Sequence, residues 1–221
     1  MEFSLLEELR ELAFSQWALL GVALALVAAL WIALARMRRA KDQQEPAPMQ
    51  VKDSTRALVY GALCVALSFL LSYLKLFSMP QGGSITVASM LPLALYACWF
   101  GLKYGLIAGV AVGILQCIQQ PYVVHWAQFF LDYILAFACF GLAGLFPRSL
   151  PLGLIVGGVG RIVCSTLSGV IFFAEYAPAG TNVWLYSIGY NAGSLGPDVI
   201  ICIVIALLPP MVRAFERARP R

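Results

Sequence analysis

Three ionisable side chains lie inside long apolar runs of this sequence: Asp132, Arg161 and Asp198. A charge in the core of a bilayer is costly, so each of these groups needs a partner or a function. At about 1.5 Å per residue, Arg161 and Asp198 fall at similar depth, and we expect them to pair. Asp132 lies nearer one end of its run and has no obvious protein partner. We therefore predict that Asp132 contacts a cationic ligand; the alternatives are that it is protonated or that it takes Arg161 for itself.

A second chemical feature is the stretch FFAEYAPAGTNVWLYSIGYNAG, residues 172–193. It places six aromatic side chains around Glu175, Asn182 and Asn191, namely Phe172, Phe173, Tyr176, Trp184, Tyr186 and Tyr190. An aromatic belt at the membrane interface would explain the Trp and Tyr residues alone. Aromatic faces interspersed with a carboxylate and amides are instead typical of a pocket for a flat heteroaromatic ligand. A cationic ring would add attraction to those faces.

Motifs of hydrolytic enzymes are missing from the sequence. It has no GxxxxGK[ST], HExxH or GxSxG pattern, so we expect neither ATP hydrolysis nor another catalytic activity. The six cysteines form no CxxC pair and the single histidine, His125, has no neighbouring ligand set. We interpret the cysteines as buried thiols, and we expect no metal, no cofactor and no nucleic-acid partner.

The composition indicates how these residues are positioned. The 221 residues are 61% hydrophobic and only 12% charged, and the mean hydropathy is +0.84. Soluble domains carry about 25% charged residues, so we predict an all-α integral membrane protein in a lipid bilayer. Apolar runs predict one N-terminal helix and a six-helix body, over residues 15–36, 55–75, 86–101, 103–119, 125–146, 152–174 and 186–212.

The basic residues test this count of spans. With the N-terminus outside and the C-terminus in the cytoplasm of a prokaryotic cell, every Lys and Arg except Arg10, Lys75 and Arg161 falls on the inner side. The first run exceeds a signal-peptide core and follows an acidic segment, so we expect a retained helix. The predicted organisation is an anchor (1–40), a cytoplasmic linker (41–54), the body (55–213) and a basic cytoplasmic tail (214–221).

Small residues recur at four-residue spacing on two predicted helices. One has Ala57 before Gly61 and Ala62 before Ala66; another carries Gly105, Gly109 and Gly113. This spacing lets a second helix backbone approach closely in lipid. Packing inside the bundle is the favoured interpretation for the glycine strip.

Four segments of the body resemble one family: ALVYGALCVALSF, KLFSMPQGGSITVASMLPL, QFFLDYILAFACFGLAG and, most specifically, SGVIFFAEYAPAGTNVWLYSIGYNAGS. They are similar to the thiamine-specific S components (the ThiT family) of energy-coupling-factor (ECF) vitamin importers. The resemblance covers about residues 55–213. It implies a six-helix S-component fold that binds thiamine on the outer side and catalyses no bond change. It also implies a transmembrane T component and two cytoplasmic ATPases as partners.

The resemblance further implies which residues contact the ligand. The family's acidic residue and its neighbouring Tyr fall on Asp132 and Tyr133, and its later Tyr and Asn on Tyr186 and Asn191. Two positions depart from the pattern of some members: Phe173 stands for a stacking Trp and Ser165 for a His. Trp184 is a further stacking candidate, and the loop from Gln81 to Ser84 is expected to close the mouth.

The family's AxxxA interface with the T component falls on Ala62 and Ala66, and we extend that face to Ala57 and Gly61. Two alternatives remain at this point. One is an S component for another vitamin or for a thiamine precursor, such as its pyrimidine moiety; the other is an intramembrane enzyme.

Overall fold

The computed structural model describes residues 54–79 and 83–217. The predicted N-terminal anchor and linker, residues 1–53, lie outside the described residues, as do Gln81 and the end of the basic tail. Apolar helices dominate the rest, as predicted. They are α1 (Ser54–Leu71), α2 (Leu91–Phe100), α3 (Leu102–Gln119), α4 (Trp126–Leu145), α5 (Leu150–Phe172) and α6 (Val183–Leu207). A short amphipathic helix, α7 (Pro209–Arg217), follows.

Helices α3 to α6 are each long and apolar enough to cross a membrane. Large apolar side chains such as Leu63, Ile107 and Ile200 are more than half exposed on the bundle's outside. This surface suits lipid, which solvates such side chains without penalty.

Two predicted boundaries need correction. The segment after α1 forms an antiparallel hairpin of β1 (Lys75–Ser78) and β2 (Ser84–Thr86), and the helix predicted from residue 86 begins only at Leu91. The sixth body helix begins at Val183 and ends at Leu207 rather than continuing to residue 212. The next residue, Leu208, precedes the Pro209-Pro210 pair and is extended, because the residue before a proline is disfavoured in helical conformation.

Local sequence explains several helix ends. Gly101 joins α2 to α3 with φ of +88°, a left-handed conformation that favours glycine. Asn182 caps α6 by accepting hydrogen bonds from the backbone N–H of Trp184 (2.9 Å) and Leu185 (3.4 Å). His125 caps α4 in the same way through Nδ1 and the N–H of Ala127 (3.1 Å).

Helix α4 is the centre of the bundle. Of the residues in an apolar 18-residue stretch of α4, 61% are buried inside the protein, against 28% in the corresponding stretches of α3 and α6. The glycine strip of α3 packs on it: a side chain on Gly109 would meet the backbone of Phe137 and Ala138, and one on Gly113 the backbone of Tyr133. The prediction that these glycines pack within the bundle is therefore confirmed.

Helix α4 is not regular along its length. An α-helical turn (Trp126–Phe129) leads into a π-helical segment (Phe130–Leu135), and a short α-helical segment (Ala136–Ala138) is followed by a 3₁₀ segment (Cys139–Leu145). π-Helical turns are rare and are frequently found at functional sites. Asp132 lies in this segment.

Candidate functional site

A cavity of about 170 Å³ opens beside the π-helical segment, at the end of the bundle that carries the hairpin. A cavity of about 150 Å³ holds a benzene molecule, so this one has room for an aromatic ring. Its lining comes from β2 and its approach, from α3 to α6 and from the connecting loops: Gly83, Ser84, Gln116, Gln120, Tyr122, Gln128, Asp132, Tyr133, Phe137, Arg161, Ser165, Gly169, Phe173, Tyr176, Tyr186, Ser187, Tyr190, Asn191, Ser194 and Leu195.

Asp132 is fixed within this cavity by two hydrogen bonds. Its Oδ2 accepts from Gln128 Nε2 at 2.7 Å and from Ser168 Oγ at 2.6 Å. Gln128 Nε2 also donates to the carbonyl of Tyr122 at 3.2 Å, which ties the carboxylate to the loop before α4. The expectation that Asp132 lacks a protein partner is wrong: Gln128, four residues before it, and Ser168, on α5, both donate to it. The carboxylate nevertheless faces the cavity and not the lipid.

Aromatic rings form one wall and the mouth. Tyr122 stacks on Phe173, with centroids 5.7 Å apart and planes 24° apart, and its hydroxyl lies 3.3 Å from that of Tyr176. This hydrogen bond, together with partial burial, raises the pKa of Tyr122 to about 12. Tyr133 donates from its hydroxyl to the carbonyl of Gln120 at 2.8 Å. The contacts of Tyr122 join the loop before α4 to the segment after α5, and the Tyr133 bond joins that loop to α4.

Polar groups of α5 and α6 form the opposite wall. Asn191 Nδ2 donates to the carbonyls of Ser187 (2.9 Å) and Ser165 (3.2 Å). With the amide nitrogen engaged by the protein, the amide oxygen is the group that Asn191 offers to a ligand. The hydroxyl of Ser187 donates to the carbonyl of Thr166 at 2.8 Å, which joins α6 to α5 at this level.

The deep end of the cavity carries Arg161, whose guanidinium lies 4.2 Å above the ring of Phe137. It interacts electrostatically with Asp198 and, more weakly, with Asp132. Asp198 is only 3% exposed and accepts a hydrogen bond from Thr86 Oγ1 at 3.0 Å. The predicted direct pair of Arg161 and Asp198 is thus replaced, within the described chain, by a cation–π contact and a hydroxyl–carboxylate bond.

Most of the predicted ligand-binding residues meet in this cavity. Seven of them line it: Ser84, Asp132, Tyr133, Ser165, Phe173, Tyr186 and Asn191. Trp184 does not. It lies in the first turn of α6, beyond the cavity, and 43% of its surface is exposed, which suits an interface aromatic. Gln81 lies outside the described residues.

Several lining residues were not predicted. Amides reach the cavity from Gln116 on α3, from Gln120 directly after α3 and from Gln128 on α4, and Arg161 was assigned a structural role only. Gln116, Gln119 and Gln120 follow one another closely at the end of an apolar run. A cluster of amides at the end of an apolar helix is a signal that could have identified this part of the cavity.

The predicted partner face of α1 divides in two. Ala62 and Ala66 are exposed, together with Leu58, Leu63 and Leu67. Ala57 and Gly61 are buried instead: the Tyr96 hydroxyl donates to the Ala57 carbonyl at 2.9 Å, and a side chain on Gly61 would meet the Tyr96 ring. Their assignment to the interface is wrong because their side of α1 packs on α2.

Metal ligands do not cluster in the described part of the chain, where no group of three or more His, Cys, Asp or Glu side chains could hold an ion. Cys139 and Cys164 lie with their sulfurs 3.8 Å apart in the core and are free thiols.

Known proteins match this chain over most of the described bundle. The family model described as thiamine transporter protein (Thia_YuaJ) matches residues 58–215. The thiamine transporter ThiT of Bacillus subtilis is 36% identical over 148 residues, covering 59% of this chain and 77% of the relative. That of Lacticaseibacillus paracasei is 32% identical over 136 residues, covering 52% and 68%.

The fold has a solved counterpart. The structure of ThiT from Listeria monocytogenes superposes with a TM-score of 0.63 at 24% identity, covering 74% of this chain and 94% of that one. The sequence matches, the apolar helices and the shared fold agree with one another. The chain therefore belongs to the thiamine transporter protein family and is a multi-pass membrane protein, not an enzyme.

Proposed function

We propose that this chain is the thiamine-binding S component of an ATP-driven ECF importer. It captures thiamine from the outer side in the cavity beside Asp132 and delivers it through a transmembrane T component, with two cytoplasmic ATPases supplying the energy. The observation that carries the proposal is a fixed carboxylate inside a cavity walled by aromatic rings.

The charges near the cavity suit a monocation. Helices α4 to α6 carry three ionisable groups of this kind, Asp132, Arg161 and Asp198, and their net charge is −1 when both carboxylates are ionised. Thiamine carries one permanent positive charge on its thiazolium ring, so its binding balances this excess of negative charge. In a low-dielectric site that neutralisation is worth more than it is in water.

The walls suit the rest of the ligand. The stacked pair of Tyr122 and Phe173 offers a flat face to one ring. The amide oxygen of Asn191 and the hydroxyl of Tyr186 suit the amino group and ring nitrogens of an aminopyrimidine. Ser165, where some relatives carry a His, contributes a hydroxyl and no ring.

Partner proteins are supported by two features of the chain. It contains no nucleotide-binding P-loop, so in an ATP-driven importer the ATPase activity belongs to other polypeptides. The exposed small residues Ala62 and Ala66, on an otherwise apolar face, let another transmembrane helix approach α1 closely.

Calorimetric titration of the purified full-length protein with thiamine tests the ligand. Calorimetry is preferable to tryptophan fluorescence because Trp99, Trp126 and Trp184 do not line the cavity. We expect one thiamine per chain with a Kd of about 1 µM or tighter, which corresponds to about 8 kcal/mol. No saturable heat with thiamine, alongside binding of another vitamin or of the isolated pyrimidine moiety, would overturn the assigned ligand.

Reconstitution tests the transport role. Liposomes that contain this chain, a T component and the two ATPases should accumulate labelled thiamine only when ATP is supplied on the ATPase side. Uptake at the same rate by this chain alone would overturn the assignment as an S component.

A further inference from the structure

Arg161 has hydrogen-bonding capacity that the protein does not use. A guanidinium carries five N–H donors and no acceptor. Its Nε donor is buried and has no hydrogen-bond partner among residues 54–79 and 83–217. The Phe137 ring beneath it offers a π face and not a lone pair. A buried donor without an acceptor is costly, so this position is suited to an acceptor brought by a ligand.

A second unpaired donor lies in the same cavity. Gln116 Nε2, on α3, is buried without a partner in the described chain, and both Gln116 and Arg161 line the cavity. Asp132 presents the opposite character, since a carboxylate is acceptor-only. The cavity is therefore dipolar: one part receives positive charge or donors, and another part offers donors to an acceptor.

We propose that Arg161 and Gln116 form an acceptor-binding subsite that reads the hydroxyl oxygen of thiamine's hydroxyethyl arm. This inference rests on the proposed function. Thiamine has acceptors on its pyrimidine ring and on this arm. Arg161 and Asp132 line the same cavity of about 170 Å³, and the arm is attached to the cationic ring that Asp132 attracts. The pyrimidine nitrogens belong to the other ring, which Tyr186 and Asn191 receive.

The test compares thiamine with the analogue that carries an ethyl group in place of hydroxyethyl. Both ligands are titrated into wild type, Arg161→Met and the matched control Arg148→Met, which removes a positive charge at an exposed position outside the cavity. Wild type and the control should prefer thiamine by about ten- to hundredfold, the value of a hydrogen bond to a charged group. Arg161→Met should bind the two ligands within about threefold of each other.

The outcomes separate this inference from the function on which it rests. Wild-type protein that binds both ligands tightly and equally would overturn the subsite and leave the thiamine assignment intact. A parallel weakening of both ligands by Arg161→Met would also overturn the subsite, because Arg161 would then act on the cation or on the fold. Absence of thiamine binding by wild type would overturn both proposals. The ligand pair on wild type needs no variant to fold.

Discussion

Replacing Asp132 with Asn removes one charge from the cavity and little else. The two side chains have nearly the same shape, and the remaining amide oxygen can still accept from Gln128 and Ser168, which now donate to one carboxylate oxygen at 2.7 and 2.6 Å. The variant should therefore fold, and its melting temperature should stay close to that of wild type. What it loses is the attraction between a fixed carboxylate and the thiazolium cation.

The expected loss is large because the charge pair is buried. Removing one partner of a buried, hydrogen-bonded charge pair costs about 2–5 kcal/mol, so the Kd for thiamine should rise by about thirtyfold to a few thousandfold. Asp198→Asn is the matched control: it removes the same charge, but Asp198 does not line the cavity. Its effect should be about tenfold or less, because that charge acts on the ligand only through intervening protein.

A neutral analogue, with thiophene in place of the thiazolium ring, completes the design. Wild type should prefer thiamine strongly over this analogue, and Asp132→Asn should lose most of that preference. Calorimetry measures both ligands with wild type, Asp132→Asn and Asp198→Asn. The affinities of wild type and Asp132→Asn for the two ligands form a double-mutant cycle, and those of Asp198→Asn are the control. Thiamine binding by Asp132→Asn within about threefold of wild type would refute the electrostatic reasoning.

Three further predictions concern other parts of the bundle. Gly113→Ala would place a methyl group against the α4 backbone and should lower stability by about 1–3 kcal/mol; Gly193→Ala, with no atom within 4 Å, should be neutral or stabilising. Equal melting temperatures would contradict the packing described. Ala66→Leu should abolish co-purification with a T component and spare thiamine binding, whereas the exposed Ala192→Leu should affect neither; unchanged co-purification would remove Ala66 from the interface. Phe173→Leu should weaken thiamine binding about two- to thirtyfold in calorimetry, and an unchanged Kd would exclude stacking there.

The helical body was predictable because the apolar runs and their interruptions are strong signals. The run containing Gly105, Gly109 and Gly113 predicted both a helix and a close contact, and α3 has both. Hydropathy carries no information on hydrogen bonding, however. The hairpin of β1 and β2, which lies between the first two predicted body spans, therefore went unpredicted.

The candidate site was predictable where a residue type is rare for its surroundings. Asp132 stands out in an apolar run, and Asn191 stands out among aromatic residues; both line the cavity. Gln116 and Gln128 were missed because burying a neutral amide costs far less than burying a charge, so an amide in an apolar run does not by itself demand a function. Trp184 was included because its type suited the ligand, but its position in the first turn of α6 leaves it outside the cavity.

Helix phase explains the remaining errors. Ala57 and Gly61 share four-residue spacing with Ala62 and Ala66, yet they are offset by five residues, which turns them by about 140° around α1 from the exposed pair. Spacing alone identifies a row of small residues and not the direction it faces. The prediction that Arg161 pairs with Asp198 failed for a related reason. It used only their depth along the helix axes, and similar depth on two helices does not bring two side chains into contact.

Packing along the bundle also bears on how a bound ligand leaves. Away from the cavity, the helices contact one another through glycines. Gly141 and Gly144 of α4 lie against the backbone of α3, and Gly153 of α5 lies against Ala143. Helices in such close contact leave no space for a ligand at these positions. A ligand held beside Asp132 therefore cannot pass between these helices there unless they separate or the whole bundle moves. Separating the helices would break the packing that stabilises the fold, and moving the bundle in the bilayer also costs free energy. Under the proposed function this free energy comes from an ATP-consuming partner that binds an outer face of the bundle. The exposed side of α1 around Ala62 and Ala66 is the face suited to that contact.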